Sequence, residues 1–168
     1  MIIKILKTKQ LSKKFINKIC LLKNQEWNYG FNSNLKWFRD NIYDDDINFL
    51  LFNNSKLIAY NCLRKRNFYD ASRKIKKKKI FIFDSLIVKK EFRKKGISKK
   101  LFLFNNLYLK KHKLISFLLC QNSMKNFYNK FGWKILKINK KNIINHKTNL
   151  NFLCFNIKFK KPNLFIYY

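Results

Sequence analysis

Apolar residues along this chain follow two rhythms, one near the helical period and one of period two, and their succession predicts a mixed α/β fold. Residues 2–6 read as a short opening strand. Leu11, Phe15, Ile16, Ile19 and Leu22 recur at helical spacing and predict a helix over residues 9–23. A shorter helix, Asn34 to Ile42, carries Leu35, Phe38 and Ile42 on one face. Ile47–Phe52 and Lys56–Arg66 flank Asn53-Asn54-Ser55, a turn whose asparagines tolerate left-handed backbone, so they predict a hairpin. The basic residues 67–78 read as a solvated loop, and Lys79–Val88 as the next strand. Then follow a helix over Ile97–His112, a buried strand Leu114–Cys120, and a helix Ser123–Phe131 stopped by Gly132. Strands Trp133–Ile138 and Asn151–Phe159 close the chain around a Lys/Asn-rich loop, giving the order β-α-α-β-β-β-α-β-α-β-β. With no Pro/Gly/Ser linker and no internal repeat, residues 1–168 are expected to form one domain.

The richest chemistry lies in Asp84-Ser-Leu-Ile-Val-Lys-Lys-Glu-Phe-Arg-Lys-Lys-Gly-Ile-Ser98. An apolar strand runs into a basic loop holding one of only three glycines, and a helix starts at once. Gly96 permits a turn or a close backbone approach. The new helix offers unpaired amides and the positive end of its dipole, so the segment predicts a phosphate cradle. Arg93, Lys94 and Lys95 add charge beside it.

Composition changes the picture only in part. With 47% hydrophobic residues and 18 Phe, the chain has ample apolar surface for a core, and disorder is excluded. A net charge of +31 invites a nucleic-acid reading, yet Lys outnumbers Arg 34 to 5. Lys, Asn, Ile and Phe, which A/T-only codons can encode, total 95 of 168 residues, so codon drift accounts for the charge as well as selection for a polyanion does. Cys20, Cys62, Cys120 and Cys154 are too far apart for a zinc motif, and neither His112 nor His146 has a visible partner. No metal site is expected. No apolar run is long enough for a membrane span, and the N-terminal Met-Ile-Ile-Lys-Ile-Leu-Lys is too short and too charged for a signal segment, so a cytoplasmic location is expected.

The order of elements and two motifs resemble the GCN5-related N-acetyltransferase superfamily. The first is Arg93-x-x-Gly96-x-Ser98 after the strand Leu86-Ile87-Val88; the second is Phe127-Tyr128-Asn-Lys-Phe131-Gly132-Trp133, 35 residues on from Arg93 to Tyr128. The match is firmest over residues 79–139. It implies a central, mostly antiparallel sheet of six to seven strands flanked by about four helices, with splayed central parallel strands. It implies acetyl-CoA as donor. Backbone amides of Arg93, Lys94, Lys95, Gly96, Ile97 and Ser98 would wrap its pyrophosphate. Leu86, Ile87 and Val88 would pair with the pantetheine arm, placing the thioester between strands 79–88 and 114–120. Asn122 or Gln121 is a candidate pantetheine contact, the family's usual Asn falling at Gln121. Tyr128 would protonate the departing thiolate. Leu-Leu-Cys120 with Tyr128 also looks like a branch that includes aminoglycoside 2′-type enzymes.

Asp84 is a candidate general base, since burial strengthens a carboxylate's hold on a proton. Period two places it on the face of Leu86 and Val88; an ordered water is the alternative base. Glu26, Asp40, Asp44, Asp45 and Asp46 cluster in the segment that frames the acceptor in this family. Glu26, Asp44, Asp45 and the aromatic Trp27 are therefore candidate substrate contacts for a small cationic amine or amino sugar. Two other readings stay open: a protein or peptide acceptor, and a catalytically idle basic domain that binds nucleic acid or a partner. Either a monomer or a homodimer is expected.

Overall fold

The computed structural model describes residues 1–70, 75–136, 143–144, 150–156 and 164–167. These fall into two compact units, each assembled from two stretches of chain: Met1–Arg64 with Phe83–Tyr108, and Lys65–Ile82 with Leu109–Tyr168.

The first unit holds β1 (Ile2–Lys7), α1 (Lys13–Asn24), α2 (Phe31–Asn41), β2 (Ile47–Asn53), the start of β3 (Lys56–Asp70), the end of β4 (Ile75–Val88) and most of α3 (Ile97–Lys111). Its strands run in the order β1-β2-β3-β4. β2 and β3 turn through Asn54, which takes the left-handed conformation expected of it, with φ 52°. Residues 9–23 do not all join the first helix. Ser12 caps it, accepting from the Phe15 amide at 3.4 Å, and Thr8–Gln10 form a separate 3-10 turn. The second helix starts three residues earlier than its apolar pattern, at Phe31, just after Gly30 with φ 85°.

Period two decides what each face of this unit buries. Leu50, Phe52, Tyr60 and Cys62 pack with Ile19, Cys20 and Leu22 of α1 and Phe38 of α2. The alternate positions face α3, with Phe49 edge-on to Tyr108 at 5.5 Å and Phe83 edge-on to Phe102 at 5.2 Å. In β4 the alternation breaks at Ser85, where φ is 59°. Ile87 consequently joins the α1/α2 cluster. Asp84 points to that same side, where it bonds Arg64, so it does not share a face with Leu86 and Val88 as strict alternation requires.

The second unit carries β5 (Ser116–Cys120), α4 (Lys125–Asn129), β6 (Lys134–Ile135), β7 (Ile143–Ile144), β8 (Asn151–Phe155) and β9 (Leu164–Tyr167), with strand order β3-β4-β5-β8-β6. β4 and β5 are parallel, with rungs at Phe81–Ser116 and Ile82–Phe117, and Ser116 Oγ donates to the Phe81 carbonyl at 2.9 Å. β5 and β8 pair antiparallel from Ser116–Phe155 to Cys120–Asn151. Ile80, Ile82, Phe117, Phe152 and Cys154 form the core here.

Among the described residues, four α-helices and a mostly antiparallel sheet are the expected α/β class. Two expectations need correction. Residues 67–78 are not one solvated loop, because β3 runs to Asp70 and β4 begins at Ile75. Backbone pairing satisfies a strand whatever its side chains, so a run of lysines is no bar to a ladder. Of the strand expected at Trp133–Ile138, the described residues show Lys134–Ile135, and Trp133 is a core residue, stacked on Phe155 at 5.4 Å. β8 stops where Asn156 turns with φ 60°; residues 137–138 and 157–159 lie outside the described residues.

Candidate active site

Beyond Val88 the Lys89 amide donates to the Ile58 carbonyl at 2.8 Å, and a 3-10 turn, Lys90–Phe92, leads to Arg93. Lys94 and Gly96 are both left-handed, with φ 60° and 72°, before α3 begins at Ile97. Such a loop turns successive amides toward one side, and the first amides of α3 have no acceptor within the helix. A Cβ built on Gly96 meets no atom within 4 Å, so the space above the loop is open. Ile97 is buried and fixes the helix start, while Ser98 is half-buried.

Arg93 has a second role that its position alone hides. Its Nε donates to the Val88 carbonyl at 3.1 Å, and its Nη2 donates to Glu26 at 2.5 Å. The guanidinium therefore straps the loop to the segment after α1. Lys94 and Lys95 stay exposed, with the Lys95 ammonium 5.7 Å from the Phe92 ring.

At the other end of the same strand segment, Asp84 Oδ2 accepts from Arg64 Nη1 at 2.9 Å and Oδ1 accepts from the Ser85 hydroxyl at 2.9 Å. Asp84 and Ser85 line an open cavity of about 340 Å³ together with Lys23, Trp27, Tyr29, Ser33, Asn34 and Trp37. Asn34 builds the wall: its amide donates to the carbonyls of Trp27 and Gly30 and to Asn24 Oδ1, tying the end of α1 to the start of α2. Lys23 is 4% exposed, and its ammonium sits 3.2 Å from the Trp37 ring centroid and 5.5 Å from that of Trp27. Burial pushes Lys23 down from 10.5 to about 8; Asp84 pulls the other way, as do Cys20 and Cys62, while Arg64 works with burial.

In the second unit, Tyr128 is buried on α4 and packs edge-on to Phe127 at 5.2 Å. Burial, with Cys120 adding to it, pushes its phenol up to about 12, so the proton is present at neutral pH. Its carbonyl ends the helix by accepting from the Phe131 and Trp133 amides. Gly132, with φ 85°, makes that stop possible. Asn122 Oδ1 accepts from Asn151 at 3.1 Å.

The acidic residues do not converge. Glu26 pairs with Arg93, Asp40 with Lys36 at 3.0 Å, and Asp45 with Lys7 at 3.4 Å. Asp46 is fully buried and accepts from the Tyr43 amide, and the Asp44 carbonyl accepts from the Lys9 amide. Trp27 lines the cavity, but Glu26, Asp44 and Asp45 do not. Lys23 escapes a sequence reading among 34 lysines, although one signal was present. It lies four residues after Ile19 and seven after Ile16, on the stripe that the helical period assigns to the core.

Comparison with known proteins agrees with the geometry. The family model described as acetyltransferase (GNAT) family matches residues 16–133, well over half of the chain. By structure, the chain is similar to ElaA of Escherichia coli (16% identity, TM-score 0.65, covering 91% of this chain and 97% of that one). It is also similar to an aminoglycoside 6′-N-acetyltransferase complexed with coenzyme A (13% identity, TM-score 0.63, 92% and 94%). A third similar structure is PaiA N-acetyltransferase of Thermoplasma acidophilum in complex with coenzyme A (18% identity, TM-score 0.57, 92% and 98%). No protein of curated function matches by sequence. A family match that spans the cradle, the cavity and the Tyr128 motif alike leaves one reading of the fold: this chain belongs to the GNAT acetyltransferase family.

Proposed function

We propose that the chain moves an acetyl group from acetyl-CoA to the primary amine of a small molecule held in the Lys23–Asp84 cavity. One observation carries this reading. A single strand end supplies both parts: Asp84 and Ser85 line the cavity, and the left-handed Lys94 and Gly96 shape the cradle a few residues on. The open space above Gly96, which a Cβ would begin to fill, fits a pyrophosphate approaching the backbone.

Acetyl-CoA supplies the activated acetyl thioester. Amides of residues 93–98 hold its pyrophosphate, the exposed Lys94 and Lys95 add charge, and the Leu86–Val88 backbone with Asn122 is assigned to the pantetheine arm. Asp84 retains lone pairs beyond its bonds to Arg64 and Ser85, and orients the acceptor nitrogen by accepting from it. The nitrogen's proton leaves to water at the open mouth of the cavity. Tyr128, protonated at rest, gives its proton to the departing thiolate. The cavity volume favours a small acceptor, and the pairing of Glu26, Asp40 and Asp45 with Arg93, Lys36 and Lys7 removes the reason to expect a polycation.

Incubation with acetyl-CoA and a panel of primary amines tests this, with free thiol as the readout. Amine-dependent thiol release is expected, together with a thermal upshift by acetyl-CoA alone. No shift at millimolar acetyl-CoA sinks the reading.

A further inference from the structure

Glu26 and Asp40 pair with Arg93 and Lys36, Asp84 pairs with Arg64, and the cation inside the cavity has no such partner among the described residues. The Lys23 ammonium makes no salt bridge and no hydrogen bond with the described residues, though the residue is only 4% exposed. Its contacts are the faces of Trp37 and Trp27, and an aromatic face steadies an ammonium without neutralising it. Asp84 is committed to Arg64, whose guanidinium lies 5.7 Å from the other contact of Lys23, Trp37. Lys23, Arg64 and Asp84 thus leave one positive charge uncompensated at the cavity. A buried charge without a counter-ion is costly, and the missing partner is one that a ligand can bring.

From this we infer that the acceptor carries a carboxylate, which Lys23 binds within the cavity while Trp27, Tyr29 and Trp37 enclose an apolar body. The inference rests on the proposed transfer to a small amine and names the class: an amino acid or a close relative. A single free cation among the described residues of the cavity suits a monoanion, because a phosphate dianion would meet Asp84 there. The hydroxyl of Ser33, also in the lining, is a further donor for the carboxylate. A polyamine or aminoglycoside would bring cations to a site that already holds a surplus one.

The test uses matched probes on the full chain. Binding of 3-phenylpropanoate and of its neutral amide, 3-phenylpropanamide, is followed by tryptophan fluorescence, since Trp27 and Trp37 line the cavity. The acid is expected to bind at least about tenfold more tightly, and Lys23→Met is expected to bring that ratio close to one. Lys23→Met lowers the net charge by only one, so a ratio that survives it belongs to the general field of the protein and overturns the inference. Equal affinities in the unaltered protein overturn it too, as does failure of the acid to bind at about ten millimolar. These last two outcomes hold even if the variant does not fold.

A catalytic arm separates this from the parent reading by comparing thiol release with phenylalanine and with phenethylamine. Preference for the amino acid in kcat/KM, lost in Lys23→Met, supports the inference. Equal use of both amines overturns the carboxylate and leaves acetyl transfer standing. Binding of the acid with no thiol release from any amine does the reverse.

Discussion

Replacing Lys23 by Met keeps an unbranched stem of similar volume and removes one buried charge. The structure sets the size of the effect. Free lysine titrates at 10.5 and Lys23 at about 8, because burial outweighs the pull of Asp84, Cys20 and Cys62, and Arg64 adds to burial. Its folded value is depressed, so the unfolded chain binds the proton more tightly and native stability climbs between about pH 8 and 10.5. Below pH 8 the full penalty applies. At about 1.4 kcal/mol per tenfold change, keeping the charge at pH 7 costs about 3 kcal/mol. The indole contacts at 3.2 and 5.5 Å return about 1–2 kcal/mol. Lys23→Met is therefore expected to be more stable at pH 7 by about 1–2 kcal/mol, and the advantage should disappear near pH 10. Urea unfolding of both proteins at the two pH values measures this, and only the difference between them counts, because other lysines and tyrosines titrate in both. A difference that stays constant with pH, or a Met variant less stable at pH 7, would refute the reasoning.

Gly96→Ala meets no crowding within 4 Å but must hold φ 72°, so a loss of about 1–2 kcal/mol in thermal unfolding is expected, with weaker acetyl-CoA binding by calorimetry. Tyr128→Phe should lower acetyl transfer about 10²-fold while acetyl-CoA affinity changes little, the split expected of a proton donor. A parallel loss of affinity would make Tyr128 a packing residue instead. Arg64→Met leaves Asp84 half-buried without its guanidinium, so it should destabilise the protein by about 2–3 kcal/mol, and Asp84→Asn added to it should recover part of that loss in urea unfolding.

Much of the fold was legible because its signals are local. Ser12 as a cap, Asn54 in the hairpin turn and Gly132 at a helix stop act through their own backbone, and each can be read one residue at a time. The glycine turn before α3 is of the same kind, since Gly96 and the start of that helix are neighbours in the chain. Legibility failed where distant residues decide the outcome. Ser85, an ordinary residue in an apolar strand, takes φ 59° and moves Ile87 to the other face, and with it the relation of Asp84 to Leu86 and Val88. The acids around Asp44 read as a cluster because they are close in sequence, but Glu26, Asp40, Asp45 and Asp46 are each engaged by their own neighbourhood.

The charge of this chain shows the same limit from the other side. A surplus of +31 spread over 34 lysines says little about any one of them, since a solvated ammonium at the surface is cheap and any basic codon bias supplies it. Burial changes that. One lysine between two indoles, with the nearby Asp84 already paired to Arg64, is an energetic liability of a size that the other described lysines do not carry, and a fold keeps such a residue at a functional cavity more readily than elsewhere. Net charge therefore misdirects toward a polyanion bound over a surface, whereas the single uncompensated charge beside Asp84 points to one small anion bound inside. The two readings differ in salt dependence. Surface binding of a polyanion loses affinity in proportion to the counter-ions released, but a carboxylate against Lys23 should respond weakly, because one buried pair is poorly screened. Titrating 3-phenylpropanoate at low and high salt should therefore change its affinity by no more than about threefold; a loss of a hundredfold would return the charge to the surface and take the acceptor site away from Lys23.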